Sequence, residues 1–216
     1  MRFQAVIFDM DGTLLDSERL VIEAGLSALA GMGLPPRRDA LVAMVGTVGN
    51  HADAALRAAF GADFDTAQFE TLWRHAAADG FDQPIPLRPG ALDLLTHLDS
   101  IALPRALATN SHTTSARKHL AAAGIGGYFP QAHIHGRDQV RHPKPAPDLF
   151  LHAAAVLGVA PADCLVFEDS DPGTAAALAA GMVVVQVPDQ TPPARALGQI
   201  IAETLIDGAR AAGLLR

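Results

Sequence analysis

The chain has a single cysteine among its 216 residues, Cys164, so no intramolecular disulfide can form and a reducing, cytoplasmic setting is expected. Its place in the run CLVF reads as a core thiol, not a nucleophile. Long apolar stretches are lacking too: the longest, AAALAAGMVVV at 175–185, falls short of the ~18 residues that a membrane span requires. The N-terminus MRFQAVIFDMD meets a carboxylate at Asp9 before a signal-peptide core can build up. There is no block of Lys and Arg, and the formal charge is −7, which argues against a nucleic-acid partner because a phosphate backbone is bound through clustered cations. Internal repeats and low-complexity tracts are missing, and nothing implies a protein partner. An anionic small molecule could bind only where a metal or a few placed cations concentrate positive charge.

What the chain has in quantity is apolar side chain, 50% of residues, enough for a sizeable core. Short runs recur at QAVIF (4–8), RALA (105–108), HIH (133–135), CLVF (164–167) and VVVQV (183–187). Apolar residues on successive positions predict strands covered on both faces. Between them lie helical patterns opened by Pro89-Gly90, Asn110-Ser111, Pro147 and Pro172-Gly173. Strand and helix alternate, which predicts an α/β fold with a doubly wound parallel sheet. Residues 17–86 break the rhythm with four helical segments and no convincing strand, and the proline-rich QPIPLRPG at 83–90 closes them off. The expected layout is a discontinuous core, 1–16 with 87–216, carrying a helical module at 17–86. The last stretch, PARALGQIIAETLIDGARAAGLL, reads as helix without chemistry.

In open α/β sheets ligands bind outside the carboxyl ends of the strands. Reading just past each strand yields Asp9 and Asp11; Thr109, Asn110 and Ser111; Lys144; and Glu168 with Asp169. Carboxylates converging on one place repel unless a cation sits among them, and an all-oxygen set suits Mg²⁺. Asp9 and Asp169 are the expected side-chain ligands, with Asp11 contributing its backbone carbonyl. With the metal and Lys144 neutralising a phosphate, Asp9 can attack phosphorus and form an aspartyl-phosphate. Asp11, two residues on in an extended segment, can protonate the leaving oxygen and later deprotonate water. Thr109 and Asn110 can donate to the transferred phosphoryl group, and Gly12 lets the backbone turn tightly so that nearby amide N–H groups can face the same oxygens.

Asp11-Gly12 as a mere hairpin turn leaves Asp9 and the other segments unexplained. A calcium loop fails because Leu14 stands where such a loop needs glycine. Asp16 and Ser17 read as a helix cap and hinge, Glu18 as a first-turn acid, and Asp171 as a cap or a residue behind the metal. His133 and His135 share a strand face but lack further ligands at zinc-like spacing, so a structural role is expected.

The segments FDMDGTLLDSE, ATNS, PKPAPD and FEDSDPGTAAALAAGM, in that order over nearly the whole chain, resemble the four motifs of the haloacid dehalogenase superfamily. The resemblance implies a Rossmann-like core with a helical cap domain after the first motif, Mg²⁺ dependence and the aspartyl-phosphate route. Roles fall on Asp9, Asp11, Thr109, Lys144 and Asp169, and Glu168 helps set the metal site. An acid at Asp11 points to phosphate esters, so the expected activity is hydrolysis of a small phosphomonoester such as a sugar phosphate or phosphoglycolate. A mutase similar to β-phosphoglucomutase is the alternative, but Val21, Val45 and Gly49 stand where those enzymes carry cap histidine, lysine and arginine. A non-catalytic sensor of a phosphorylated ligand is a further alternative, opposed by the intact acids. In the cap, Thr47, Asn50 and His51, together with Trp73, Arg74 and His75, are the candidate substrate contacts.

Overall fold

A computed structural model describes residues 2–42, 44, 50–189 and 197–215, apart from the side chains of residues 50–52. Among the described residues six strands form one parallel sheet: β1 (Ala5–Phe8), β2 (Arg105–Thr109), β3 (Ile134–Gly136), β4 (Cys164–Glu168), β5 (Val183–Gln186) and β6 (Ile200–Ile201). Their order is β3-β2-β1-β4-β5-β6. The helices are α1 (Ser17–Gly31), α2 (Arg38–Val42), α3 (Asn50–Phe60), α4 (Thr66–Phe81), α5 (Ala91–Ser100), α6 (Thr113–Ala122), α7 (Asp148–Leu157), α8 (Asp171–Ala179) and α9 (Leu205–Ala211). The fold is thus the expected α/β, Rossmann-like one.

The successive-apolar pattern of the strands has a direct cause: both sheet faces are covered. Ile7, Ala106, Ala108, Val166 and Val184 pack with Leu149, Phe150 and Ala153 of α7 and Ala176 and Ala177 of α8. On the other face Phe8 and Phe167, register partners across β1 and β4, stack with ring centroids 5.3 Å apart. There α9 approaches so closely that a Cβ on Gly208 would strike Val185. Each buried side chain of this size removes enough apolar area from water to contribute about 1.5–3 kcal/mol.

The chain divides into two compact units, Met1–Asp16 with Pro86–Arg216, and Ser17–Ile85. The second has its own core of Ile22, Leu29, Leu41, Leu56, Phe64 and Phe69. Within it the Trp73 indole N–H donates to the Val21 carbonyl at 3.1 Å, fixing α4 against α1. In the first unit the segments that leave and re-enter the core are paired as a short ribbon. The Asp16 amide donates to the Pro86 carbonyl and the Arg88 amide to the Leu14 carbonyl, both at 2.9 Å. Arg88 then pairs through its guanidinium with Asp189 and donates to the Pro188 carbonyl.

Two sequence expectations need correction. Among its described residues the C-terminal stretch is helical only over α9; Ile200 and Ile201 instead join the sheet edge as β6, next to β5. Side-chain amides stitch this edge down, because Gln199 Oε1 accepts from the Val184 amide at 2.7 Å and Gln186 Oε1 from the Gly198 amide at 3.1 Å. His133 lies in a 3₁₀ turn before β3, not in the strand, and its Nδ1 bonds the Arg105 carbonyl.

His135 does lie in β3, where Nδ1 bonds Gln139 Oε1 at 2.9 Å and the ring meets His152 edge-on at 4.8 Å. Its Nε2 is buried with no hydrogen-bond partner among the described residues. Burial therefore holds the imidazole below its ordinary value, with Gln139 opposing and His152 and His133 adding to the depression. A depressed folded-state pKa means stability that is complete above about 6.5 and lost as the pH falls below it. Thermal unfolding at pH 7.5 and 5.5 should show a larger drop in Tm for the wild type than for His135→Leu; equal drops would refute this.

Candidate active site

The order of the strands places β1 beside β4, with β2 and β3 running off to one side and β5 and β6 to the other. That reversal point is where an open parallel sheet leaves a crevice at its carboxyl edge. Asp9 follows β1 there, its amide donating to the Phe167 carbonyl at 3.0 Å. Thr109 ends β2, and Glu168 with Asp169 closes β4.

The chain after Asp9 turns at once. The Leu14 and Leu15 amides both donate to the Met10 carbonyl at 3.0 Å, and Gly12 adopts φ +80°. A Cβ at Gly12 would come within 2.5 Å of Asp169 Oδ2, so both the left-handed backbone and the close carboxylate require glycine. The Thr13 hydroxyl donates to the other oxygen of Asp169 at 2.9 Å. In this way the first turn orients an acid delivered by a distant strand.

Lys144 reaches the same place from the loop that follows β3. Its ammonium donates to Asp9 Oδ1 at 2.5 Å and to Glu168 Oε1 at 2.7 Å, with only 3% of the side chain exposed. Its backbone is gripped by Asn110: Nδ2 donates to the Lys144 carbonyl at 3.1 Å and Oδ1 accepts from the Lys144 amide at 3.0 Å. One N–H and the oxygen of the Asn110 amide thus position Lys144. Glu168 is held at both oxygens, since Oε2 accepts from the Ser170 amide and hydroxyl, both at 2.9 Å. Ser170 Oγ in turn caps α8 by accepting from the Gly173 amide at 3.2 Å. Gly173 lies so near that a Cβ there would overlap the Glu168 carboxylate. Asp171 is not the cap: its carboxylate accepts from Gln186 Nε2 at 3.0 Å.

Asp9, Glu168 and Asp169 can each point a carboxylate oxygen to within 4.8 Å of the others. Burial raises the Asp9 carboxyl to about 8; Lys144 opposes the rise, and Glu168 and Asp11 add to it. Burial opposes the charged form of Lys144, but Asp9 and Glu168 together raise the ammonium above its ordinary value, so it is firmly charged. A buried, hard, all-oxygen donor set in excess over its ammonium is chemically suited to a divalent cation.

Of the residues singled out from the sequence, Asp9, Asp11, Thr109, Asn110, Lys144, Glu168 and Asp169 form this one connected edge. Thr47 lies outside the described residues, as do the side chains of Asn50 and His51. Sequence reasoning gave no role to Thr13 or Ser170, and each is a hydroxyl adjoining a motif acid or glycine.

The chain is 35% identical to fructose-1-phosphate phosphatase YqaB of Escherichia coli over 194 residues, covering 86% of this chain and 97% of that protein. It is 34% identical to hexitol phosphatase A of the same organism, covering 89% and 87%. A crystal structure of a HAD family hydrolase from Deinococcus radiodurans, with bound phosphate and sodium, superposes with a TM-score of 0.86 at 30% identity, covering 99% of this chain and 98% of that one. The family model for haloacid dehalogenase-like hydrolases matches residues 3–181, from ahead of β1 to just past α8, and the chain belongs to that family.

Proposed function

We propose that the protein is a Mg²⁺-dependent phosphatase that hydrolyses a small phosphomonoester, a sugar or polyol phosphate foremost, through an aspartyl-phosphate on Asp9. The observation that carries this reading is the buried pairing of Asp9 with Lys144 at 2.5 Å beside Glu168 and Asp169. Relatives named as sugar and hexitol phosphatases support the substrate class.

Asp9 and Asp169 would hold the metal, with Asp11 contributing its backbone carbonyl and Glu168 set behind them. Bound there, Mg²⁺ supplies positive charge that lets a carboxylate approach an anionic phosphoryl group. Lys144 adds a second, fixed charge for the phosphoryl oxygens. The Thr109 oxygen already accepts from the Ser111 amide at 3.0 Å, so its hydroxyl proton is directed elsewhere and can serve the phosphoryl group. Asp9 attacks phosphorus, the ester P–O bond breaks, and the departing oxygen takes the proton of Asp11. Asp11 then removes a proton from the water that attacks the aspartyl-phosphate, releasing phosphate and restoring both acids. Asn110 serves by holding Lys144 in place. The helical unit, Ser17–Ile85, acts as a cap that excludes bulk water, and Thr47, Asn50 and His51 remain the candidates for reading the alcohol part of the substrate.

Phosphate release from a panel of phosphomonoesters, including fructose 1-phosphate and hexitol phosphates, with and without Mg²⁺, tests the reading through kcat/KM. Interconversion of sugar phosphates without release, or release that ignores Mg²⁺, would overturn it. A second expectation concerns stability. A carboxyl raised from 3.8 to about 8 on folding contributes stability below its unfolded value and loses it as the pH rises through the folded one. A cation that binds the ionised form offsets that loss. The rise in Tm on replacing EDTA with Mg²⁺ is therefore expected to grow from pH 5 to pH 8; a rise that is constant or shrinks would contradict the metal assignment.

A further inference from the structure

The Ser111 hydroxyl donates to Asp11 Oδ2 at 2.9 Å, across 100 residues of chain. Its backbone is pinned on both sides. The Ser111 amide donates to Thr109 Oγ1 at 3.0 Å, and its carbonyl accepts from the Arg137 amide at 3.1 Å. The room for this is made by Gly136 at the end of β3, where a Cβ would come within 2.7 Å of the Ser111 carbonyl oxygen and strike the Thr113 amide. A serine fixed by strand ends on either side thus presents one hydroxyl to one oxygen of the acid.

We propose that Ser111 is a positioning residue for Asp11 that selects which carboxyl oxygen carries the transferred proton. The inference rests on the phosphatase reading above. A donor on Oδ2 leaves the proton to be carried on Oδ1, and it restrains rotation about the carboxyl torsion, which is otherwise broad. When the ester P–O bond breaks and the new bond to Asp9 forms, the electron pair left on the alcohol oxygen is met by the Oδ1 proton. Without the hydroxyl the acid retains its chemistry but spends less time in the productive orientation.

Leaving groups of different basicity separate this role from others. An alkyl phosphate such as fructose 1-phosphate expels a strongly basic alkoxide and needs the proton; p-nitrophenyl phosphate expels a weakly basic phenolate and does not. The measured quantity is kcat/KM, which covers events up to alcohol departure. Ser111→Ala is expected to lose about tenfold or more on the alkyl ester and about twofold or less on the aryl ester, mainly in kcat. Ser111→Thr, which keeps a hydroxyl, should recover most of the loss, and Asp11→Asn should show the same leaving-group pattern more strongly. Equal losses on both esters, or losses confined to KM, would assign Ser111 to phosphate binding or to packing and overturn the inference. So would no loss on either, and so would Asp11→Asn showing the pattern while Ser111→Ala lacks it, although the phosphatase reading would then stand. A wild type that hydrolyses neither ester would overturn that reading, and this inference with it.

Discussion

Asp9→Asn is expected to abolish Mg²⁺-dependent phosphate release, by about 10⁴-fold or more in kcat, while the protein stays folded. Loss of the attacking atom removes the covalent route entirely, and knocking out a nucleophile in other hydrolases costs factors of this order. The fold tolerates the change because asparagine has the same shape and keeps an oxygen for the Lys144 ammonium. That ammonium also retains its bond to Glu168 at 2.7 Å. Removing one of several mutually repelling buried carboxylates relieves a cost of its own. The two measurements are steady-state phosphate release and thermal unfolding without metal. Substantial Mg²⁺-dependent turnover in the variant would refute the nucleophile assignment; an unfolded variant would refute the account of how the cluster is held.

Lys144→Met has the opposite profile: it damages stability as well as activity. The ammonium is buried against Asp9 and Glu168, and its removal leaves two carboxylates in the interior without a counter-charge. Breaking a buried pair from one side costs about 3–5 kcal/mol, a fall in Tm on the order of 10 °C for a chain of this size. Asp9, raised to about 8 even with Lys144 opposing the rise, would then hold its proton to still higher pH in the folded state. The deficit should accordingly deepen as the pH rises through 8, from 7 to 9, and Mg²⁺ should restore part of it. A deficit independent of pH and metal would show that the loss is one of packing, such as the contact of Lys144 with the Phe150 ring at 4.8 Å.

The strand positions could be read from the sequence because a sheet covered on both faces forces apolar residues onto consecutive positions, a pattern that few other elements produce. The carboxyl-edge rule then brought Asp9, Thr109, Lys144 and Glu168 to one place without any knowledge of side-chain contacts. The pairing among them was not legible. Thr13 finds Asp169 across 156 residues, Ser111 finds Asp11 across 100 and Asn110 finds Lys144 across 34, and no local periodicity encodes such partners. Asn110 shows the difficulty best: a polar amide beside a candidate phosphate-binding threonine reads as a phosphate donor, and only the loop folded against it shows that one N–H and its oxygen hold Lys144. The C-terminal edge was misread for a related reason. Its alanine-rich spacing suits a helix, but β5 offered an open ladder, and two glutamine side chains supplied hydrogen bonds that a propensity argument does not count.

The Asn110 amide, meeting both the N–H and the C=O of one residue, acts as a rung of β-ladder without a strand. Through it the Lys144 loop is held in register with β2 as though a further strand ran alongside. The lysine therefore takes its coordinates from β2 as well as from the residues that precede it, of which Arg137 and Gln139 are themselves tied to Ser111 and His135.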